Sequence, residues 1–202
     1  MHGTRISPIY FSRRLLWLLL TPALALVVSL VSMPLAFASG PAPDKAVALF
    51  EGGFLLHMID HHAMAVEMGE MCIEKAVHDD LRDLCEEIIK TQSEEIETMQ
   101  DWLETWYDVR YEPQLTPSEM HQMEHLASLN GSEFEITFMQ EMVLHHTIAI
   151  QNAERCVDRA HHGELVTLCE EIIKTQQAEI EQLQTWLCEW YDRCQGKEEG
   201  HG

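Results

Sequence analysis

Apolar residues recur at helical spacing along two long segments of the chain, residues 54–108 and 138–192. In the first part of each segment the apolar residues are three or four positions apart, which is about one helical turn. This spacing places them on one face of an α-helix. Neither segment contains proline, and each is much longer than a β-strand. The pattern predicts that each segment forms a helical hairpin, with turns at residues 78–80 and 161–163.

The two segments are copies of one another. They align without a gap, Phe54 on Phe138 and Asp108 on Asp192, and about half of the aligned positions are identical. A single hairpin cannot bury its own apolar face, so the two copies should pack together. We therefore predict an all-α fold, a four-helix bundle made of two repeated hairpins at residues 44–115 and 132–194.

A short linker helix is predicted between the hairpins, at residues 116–131. Residues 116–119 combine proline at the first helical position with a capping box, and residues 132–135 repeat such a box before the next helix. Asn130 and Gly131 are expected to close the linker helix.

The two ends of the chain read as non-globular segments. Three arginines precede the apolar run 15–31, and Ala36-Phe37-Ala38 follows it, which is typical of a secretory signal ending at residue 38. We expect an exported, periplasmic protein, and the alternative is an N-terminal membrane anchor. Residues 195–202 are expected to be a disordered tail.

Charge and motif content narrow the function. The chain has 34 acidic and 13 basic residues, a formal net charge of −21. Nucleic acid is therefore not expected as a partner, because phosphate binding relies on Lys and Arg. No His-Glu-x-x-His or Cys-x-x-Cys motif and no glycine-rich phosphate loop is present. The residues do not predict an enzyme.

The six cysteines predict how each hairpin is closed. Cys72 and Cys85 flank the first turn as Cys156 and Cys169 flank the second, and an exported protein can keep both pairs as disulfides. Cys188 and Cys194 can pair only if the last helix ends near Tyr191, and the alternative is a thiolate metal site.

The same closure sets the register within each hairpin. With the cysteines opposite one another, His62 faces Glu95 and His146 faces Glu179. A buried carboxylate needs a partner, so these residues are either internal His–Glu pairs or part of an inner metal site.

Histidine and methionine are unusually frequent, with 12 and 11 residues. A row at helical spacing along the first helix is predicted to face outward: His57, His61, Met64, Met68 and Met71. Of these, His57, Met64 and Met71 lie outside the apolar sector, and His61 lies at its edge. The alternative is that the linker helix covers this row as ordinary packing. His121 and His125 lie one turn apart on the linker and can share an ion. Thioether sulfur with imidazole is the ligand set that suits Cu(I).

The first hairpin resembles a known family. The segment Met58-Ile59-Asp60-His61-His62-Ala63-Met64-Ala65-Val66-Glu67-Met68, followed by Gln92, Glu95, Ile96, Met99 and Trp102, is similar to the domain of unknown function 305 family. The resemblance spans nearly the whole mature chain. It implies a ferritin-like four-helix bundle and, because the family includes exported copper-binding proteins implicated in copper resistance, a role in copper binding. The second copy has Ile148, Asn152 and Leu183 in place of three of these methionines, so the resemblance supports a soft-metal site better on the first hairpin.

We predict an exported copper-binding protein that buffers, transfers or confers resistance to Cu(I), with other copper-handling proteins as candidate partners. The alternatives are a ferritin-like metalloenzyme with an inner His/Glu site for a harder metal, a haem protein, and a structural or protein-binding bundle without metal. The sequence does not indicate an oligomeric state. The candidate copper ligands are His57, Met58, His61, His62, Met64, Met68, Met99, Met142, His145 and His146.

Overall fold

The computed structural model describes residues 40–194, and this part of the chain is all-helical, with five helices and no strand. The predicted signal and the predicted tail lie outside the described residues. No helix among residues 40–194 is long and apolar enough to cross a membrane. The helices are α1 (Lys45–Lys75), α2 (Asp79–Tyr107), α3 (Pro117–Ser128), α4 (Gly131–Arg159) and α5 (Gly163–Tyr191).

Helices α1 and α2 pack against each other, as do α4 and α5. The turns lie at residues 76–78 and 160–162, one or two residues before the predicted positions. A disulfide closes each pair, Cys72–Cys85 in the first and Cys156–Cys169 in the second, with Cα atoms 6.2 Å apart in both. Gly69 brings α1 close to α2, since a Cβ atom at this position would lie 2.8 Å from the side chain of Ile89. Both predicted disulfides are confirmed.

The third pair of cysteines also forms a disulfide, Cys188–Cys194. This is possible because α5 ends at Tyr191 and the chain turns back through a left-handed residue, Asp192. The alternative of a thiolate metal site is wrong, because both sulfur atoms are used in the bond.

Helix α1 also packs against α4, and the two helices run antiparallel. Nε2 of His145 donates a hydrogen bond to the backbone oxygen of His61 at 2.9 Å. Further along, the side chain of Asn152 lies 3.5 Å from Nε2 of His57. Position 61 is therefore level with position 145, and the register places Met64 opposite Met142.

The linker helix α3 begins as predicted, because Thr116 and Glu119 form a complete capping box. The second predicted box is wrong. Asn130, not Ser132, is the N-cap of α4, and Glu135 bonds elsewhere. Leu129 caps α3, and Gly131 begins α4 with a positive φ of 57° rather than closing the linker helix.

Two buried carboxylates join one hairpin to the other. Glu51 of α1 is fully buried and accepts hydrogen bonds from the backbone nitrogens of His161 and His162 at 2.6 and 2.9 Å. It also accepts from Nδ1 of His162 at 2.8 Å and from the hydroxyl of Tyr107 at 2.5 Å. The ring of Trp106 stacks on His162 with centroids 3.8 Å apart. The first hairpin thus holds the turn of the second.

The same clamp is repeated in the opposite direction. Glu135 of α4 is fully buried and accepts from the backbone nitrogens of Val77 and His78 at 2.6 and 2.9 Å. Nδ1 of His78 lies 2.7 Å away and the hydroxyl of Tyr191 also donates to this carboxylate. Trp190 stacks on His78 with centroids 3.9 Å apart. The aromatic residues at the helix ends therefore hold the turns of the opposite hairpin.

Burial alone would raise the pKa of both carboxyls, but the hydrogen bonds from the tyrosines, the histidines and the turn nitrogens outweigh it. The pKa of Glu51 and of Glu135 is consequently held below the ordinary value of 4.5. A group with a lowered folded-state pKa stabilises the fold above its unfolded pKa, and this contribution is lost as the pH falls through the folded-state value.

We expect Glu51→Gln and Glu135→Gln each to lower the free energy of unfolding at pH 7 by about 2 kcal/mol, because a charge-assisted network loses its anion. Below about pH 4.5 the wild type should lose stability as both carboxylates take up protons, and the double variant, which lacks them, should lose less. Urea unfolding between pH 3 and pH 8 measures both effects. The exposed Glu86→Gln variant is the matched control, and equal behaviour of all three single variants would refute the clamps.

Candidate metal centre

Four histidines meet where α1 crosses α4. His62 and His146 are fully buried, and His61 and His145 are 8% and 7% exposed. The rings of His61 and His145 lie against each other with centroids 3.6 Å apart and planes 32° apart. Each ring also neighbours the next histidine of its own helix, with centroids 6.3 Å apart on α1 and 6.0 Å apart on α4. The predicted pairs of adjacent histidines therefore form one buried imidazole layer.

The outer members of the layer contact carboxylates. Nε2 of His62 donates to Oε2 of Glu95 at 2.8 Å, and Nε2 of His146 lies 2.7 Å from Oε2 of Glu179. Both contacts are those that the disulfide register predicted. The carboxylate side chains are 13% and 12% exposed. Glu95 comes from α2 and Glu179 from α5, so these two helices contact the outer histidines of the layer.

Four imidazole nitrogens in this layer have the same status. Nδ1 of His61, His62, His145 and His146 is buried and has no hydrogen-bond partner among the described residues, and the same holds for Nε2 of His61. Nε2 of His146 lies 2.7 Å from Oε2 of Glu179 but without the geometry of a hydrogen bond. In His62 and His145 the other ring nitrogen donates to a carboxylate or to a backbone carbonyl. This leaves a lone pair on Nδ1, and it is the arrangement in which a metal-binding imidazole is usually held.

Burial also keeps the inner imidazoles neutral. Burial, with repulsion from the neighbouring His62, His57 and His146, lowers the pKa of His61 to about 3. Burial likewise holds the pKa of His145 well below its ordinary value, with repulsion from His61 and His146 adding to the effect. Neutral imidazole is the form that binds metal, so a proton does not compete for these nitrogens at physiological pH.

The predicted outward row is wrong for the methionines and for His61, which is buried as well. Met64 is 5% exposed, Met68 is fully buried, and Met71 is half-buried. They belong to a cluster that includes Met123 of α3 and Met142 of α4. The sequence prediction took only one face of α1 as buried. In the structure α4 and α3 pack on a second face of α1, and the methionines lie there. Of this row, only His57 is exposed.

The candidate methionines divide between the two sides of the imidazole layer. Met64, Met68 and Met142 lie in the cluster on one side. Met58 and Met99 lie in the cluster on the other side, and both are fully buried. Since Met64 is level with Met142 one helical turn from the His61–His145 pair, the register gathers two thioethers and two imidazoles there.

The linker histidines are separate from this centre. The side chain of His121 is 87% exposed, and His125 is exposed as well. Within residues 40–194, no group of three or more His, Cys, Asp and Glu side chains is arranged to hold a metal ion. Thioether sulfur is not among those four residue types.

Two buried glutamines and the two clamp carboxylates were missed by sequence reasoning. Gln92 and Gln176 are 2% exposed and line the space between α2 and α5. Each glutamine precedes Glu95 or Glu179 by three residues, close to one helical turn. This repeated spacing was the signal that could have placed them beside the carboxylates. Glu51 and Glu135 also correspond in the two copies, but they precede the segments in which the repeat was recognised.

The fold and this centre define a class of protein. It consists of two repeated helical hairpins, each closed by a disulfide, with a buried layer of histidines between clusters that contain methionines. The family model named Domain of unknown function (DUF305) matches residues 51–187 and 135–201. The chain therefore belongs to the DUF305 family. No curated protein matches the chain.

Solved structures of similar proteins agree with this assignment. CopM in the Cu(I)-bound form is 30% identical, the match covers 70% of this chain and 97% of CopM, and the TM-score is 0.63. The putative secreted protein DUF305 from Streptomyces coelicolor is 26% identical, with 69% of this chain and 93% of that chain covered and a TM-score of 0.62. A DUF305 fragment from Deinococcus radiodurans is 24% identical, with 73% and 97% covered and a TM-score of 0.62, and it shows the fold alone.

We expect the imidazole of His61 to stay neutral from pH 8 down to about pH 4, as measured by NMR of its ring nitrogens and carbons. Because the unfolded chain takes up this proton first, stability should begin to fall as the pH drops below about 6.5, the ordinary histidine value. His61→Phe should reduce that slope, whereas the Glu51→Gln variant should alter only the region below about pH 4.5. A ring that titrates near pH 6.5 would contradict the burial argument.

Proposed function

We propose that this protein binds Cu(I) at the α1–α4 contact, with the imidazoles of His61 and His145 and the thioethers of Met64 and Met142 as the principal ligands. His62, His146, Met58, Met68 and Met99 form the surrounding set, and His57 lies at the exposed edge. The observation that supports the proposal most is the row of buried Nδ1 atoms without a partner among the described residues.

The donor set fits a soft monovalent ion. Thioether sulfur and neutral imidazole favour Cu(I), whereas an oxygen-rich set favours harder cations. A Cu(I) ion would give the buried lone pairs a partner and so remove the cost of leaving them unpaired. The hydrogen bond from His145 to the backbone of His61 would orient one ligand before the ion arrives.

Similar proteins support the same metal. CopM has been solved in Cu(I)-bound, Cu(II)-bound and Ag-bound forms, at 29 to 30% identity to this chain. Silver(I) is a soft ion like Cu(I), so its presence agrees with a thioether-containing site. We infer a role in buffering or transferring copper, or in copper resistance, with other copper-handling proteins as partners.

We also propose the finer features of the fold and location. Helices α1, α2, α4 and α5 would form a ferritin-like four-helix bundle with α3 as its linker helix, within hairpins at residues 44–115 and 132–194. Three disulfides and the similarity to a putative secreted DUF305 protein fit an exported protein. Export to the periplasm through a signal at residues 1–38 extends this inference.

We expect Met64→Leu/Met142→Leu to weaken Cu(I) binding at least tenfold, about 1.4 kcal/mol, because leucine keeps the packing and removes both thioethers. A competitive titration of Cu(I) against a chromophoric chelator under anaerobic conditions measures the change. Met120→Leu is the matched control, since Met120 is 47% exposed on α3 and lies outside both methionine clusters.

The alternative, a ferritin-like metalloenzyme, places a harder metal at His62, His146, Glu95 and Glu179, and the two short His–Glu contacts favour it. Glu95→Gln/Glu179→Gln should abolish Fe, Mn or Zn binding in that case, while the methionine variant should bind these metals normally. Cu(I) affinity unchanged in Met64→Leu/Met142→Leu would refute the thioether site.

A further inference from the structure

Helices α2 and α5 enclose a small polar cavity on the side of the molecule opposite the α1–α4 contact. The enclosed space measures about 10 Å³, which is enough for one water-sized sphere. Its polar lining is repeated in the two copies of the hairpin: Thr91, Gln92, Glu95, Thr175, Gln176 and Glu179.

Two amide groups in this cavity have no partner. Gln92 and Gln176 are 2% exposed, and neither the oxygen nor the nitrogen of either side chain has a hydrogen-bond partner among the described residues. A buried amide without a hydrogen bond costs free energy, so two such groups at one place indicate an occupant of the space between them.

Two carboxylates give the cavity its charge. Glu95 and Glu179 each direct one oxygen toward a histidine of the imidazole layer, at 2.8 and 2.7 Å. Both carboxylates also line the cavity. Two anionic groups around one small space attract a cation more strongly than a neutral water molecule.

The surroundings also attract cations. An open groove of about 500 Å³ lies between the same two helices and is lined by Glu94, Glu95, Glu164 and Glu171. Glu95 lines both the groove and the enclosed cavity. A cation therefore has an acidic approach to the cavity, and the formal net charge of −21 favours its arrival from a distance.

We propose that this cavity is a second metal site, specific for a hard divalent cation, with Ca²⁺ as the ion that fits its ligands best. The site is built from carboxylate, amide and hydroxyl oxygens, which are the donors that Ca²⁺ uses. Two carboxylates balance a divalent charge. The site differs from the copper centre in having no sulfur, and from the inner His/Glu alternative in that the histidines are not ligands.

The site would also couple to the imidazole layer without sharing its metal. Each carboxylate contacts a histidine and also lines the cavity, so an ion there would hold Glu95 and Glu179 in place. The carboxylates would then fix the orientation of His62 and His146.

The test is isothermal titration of the purified, chelator-treated protein with CaCl₂ in 0.15 M salt, together with thermal unfolding at 0 and 5 mM Ca²⁺. We expect one ion per chain and a rise in the unfolding temperature. Gln92→Leu/Gln176→Leu should weaken Ca²⁺ binding at least tenfold and remove that rise. Its calcium-free stability should not fall, because two unpaired buried amides are replaced by apolar groups of similar size.

Gln177→Leu is the matched control, because Gln177 is exposed on α5 and does not line the cavity. Glu95→Gln/Glu179→Gln provides a second route to the same loss if the glutamine variant does not fold. Absence of a Ca²⁺-dependent change, or equal Ca²⁺ binding by wild type and Gln92→Leu/Gln176→Leu, would overturn the proposal and leave the cavity to water. The Cu(I) titration of Gln92→Leu/Gln176→Leu should match the wild type, so the two metal proposals can fail separately.

Discussion

The structure depends on two buried carboxylates that cross from one hairpin to the other. Glu51 and Glu135 lie on the first helix of each copy, and each accepts two backbone hydrogen bonds from the turn of the opposite copy. A carboxylate can be buried at such a position only if these donors are present. The clamps therefore require the two hairpins to lie antiparallel, end to turn. That arrangement brings His61 against His145.

The central layer follows from this arrangement. When one copy is set against the other, identical residues meet near the symmetry axis, and buried imidazoles that cannot all find partners accumulate there. Burial holds the pKa of His61 and of His145 low, so these two imidazoles stay neutral, and neutral imidazole is the form that binds a metal ion. The outer carboxylates and the glutamines behind them extend the same polar section across the molecule. This polar cross-section lies between the two apolar clusters.

Much of this was predictable from local pattern. Helix spacing, the repeat and the cysteines gave the helices, both turns, two disulfides and the His62–Glu95 and His146–Glu179 contacts, because each depends on residues within one hairpin. What failed depends on contacts between hairpins. The burial of Met64 and Met68 requires α4 and α3 to cover α1, and Glu135 seemed to be a local cap until its partner turn was known. A single sequence does not state how its two halves are oriented.

The repeat is not an exact one at the level of chemistry. Met64 of α1 lies opposite Met142 of α4. The repeat makes Met58 and Ile148 the equivalent pair on the other side of His61 and His145, and there the side chain of Ile148 is 40% exposed. The linker helix likewise covers only one of the two equivalent edges. Duplication has thus produced unequal halves, one sulfur-rich and sheltered, the other sulfur-poor and open. The molecule has a front and a back, and a partner that docks on one of them meets a surface that the other does not offer.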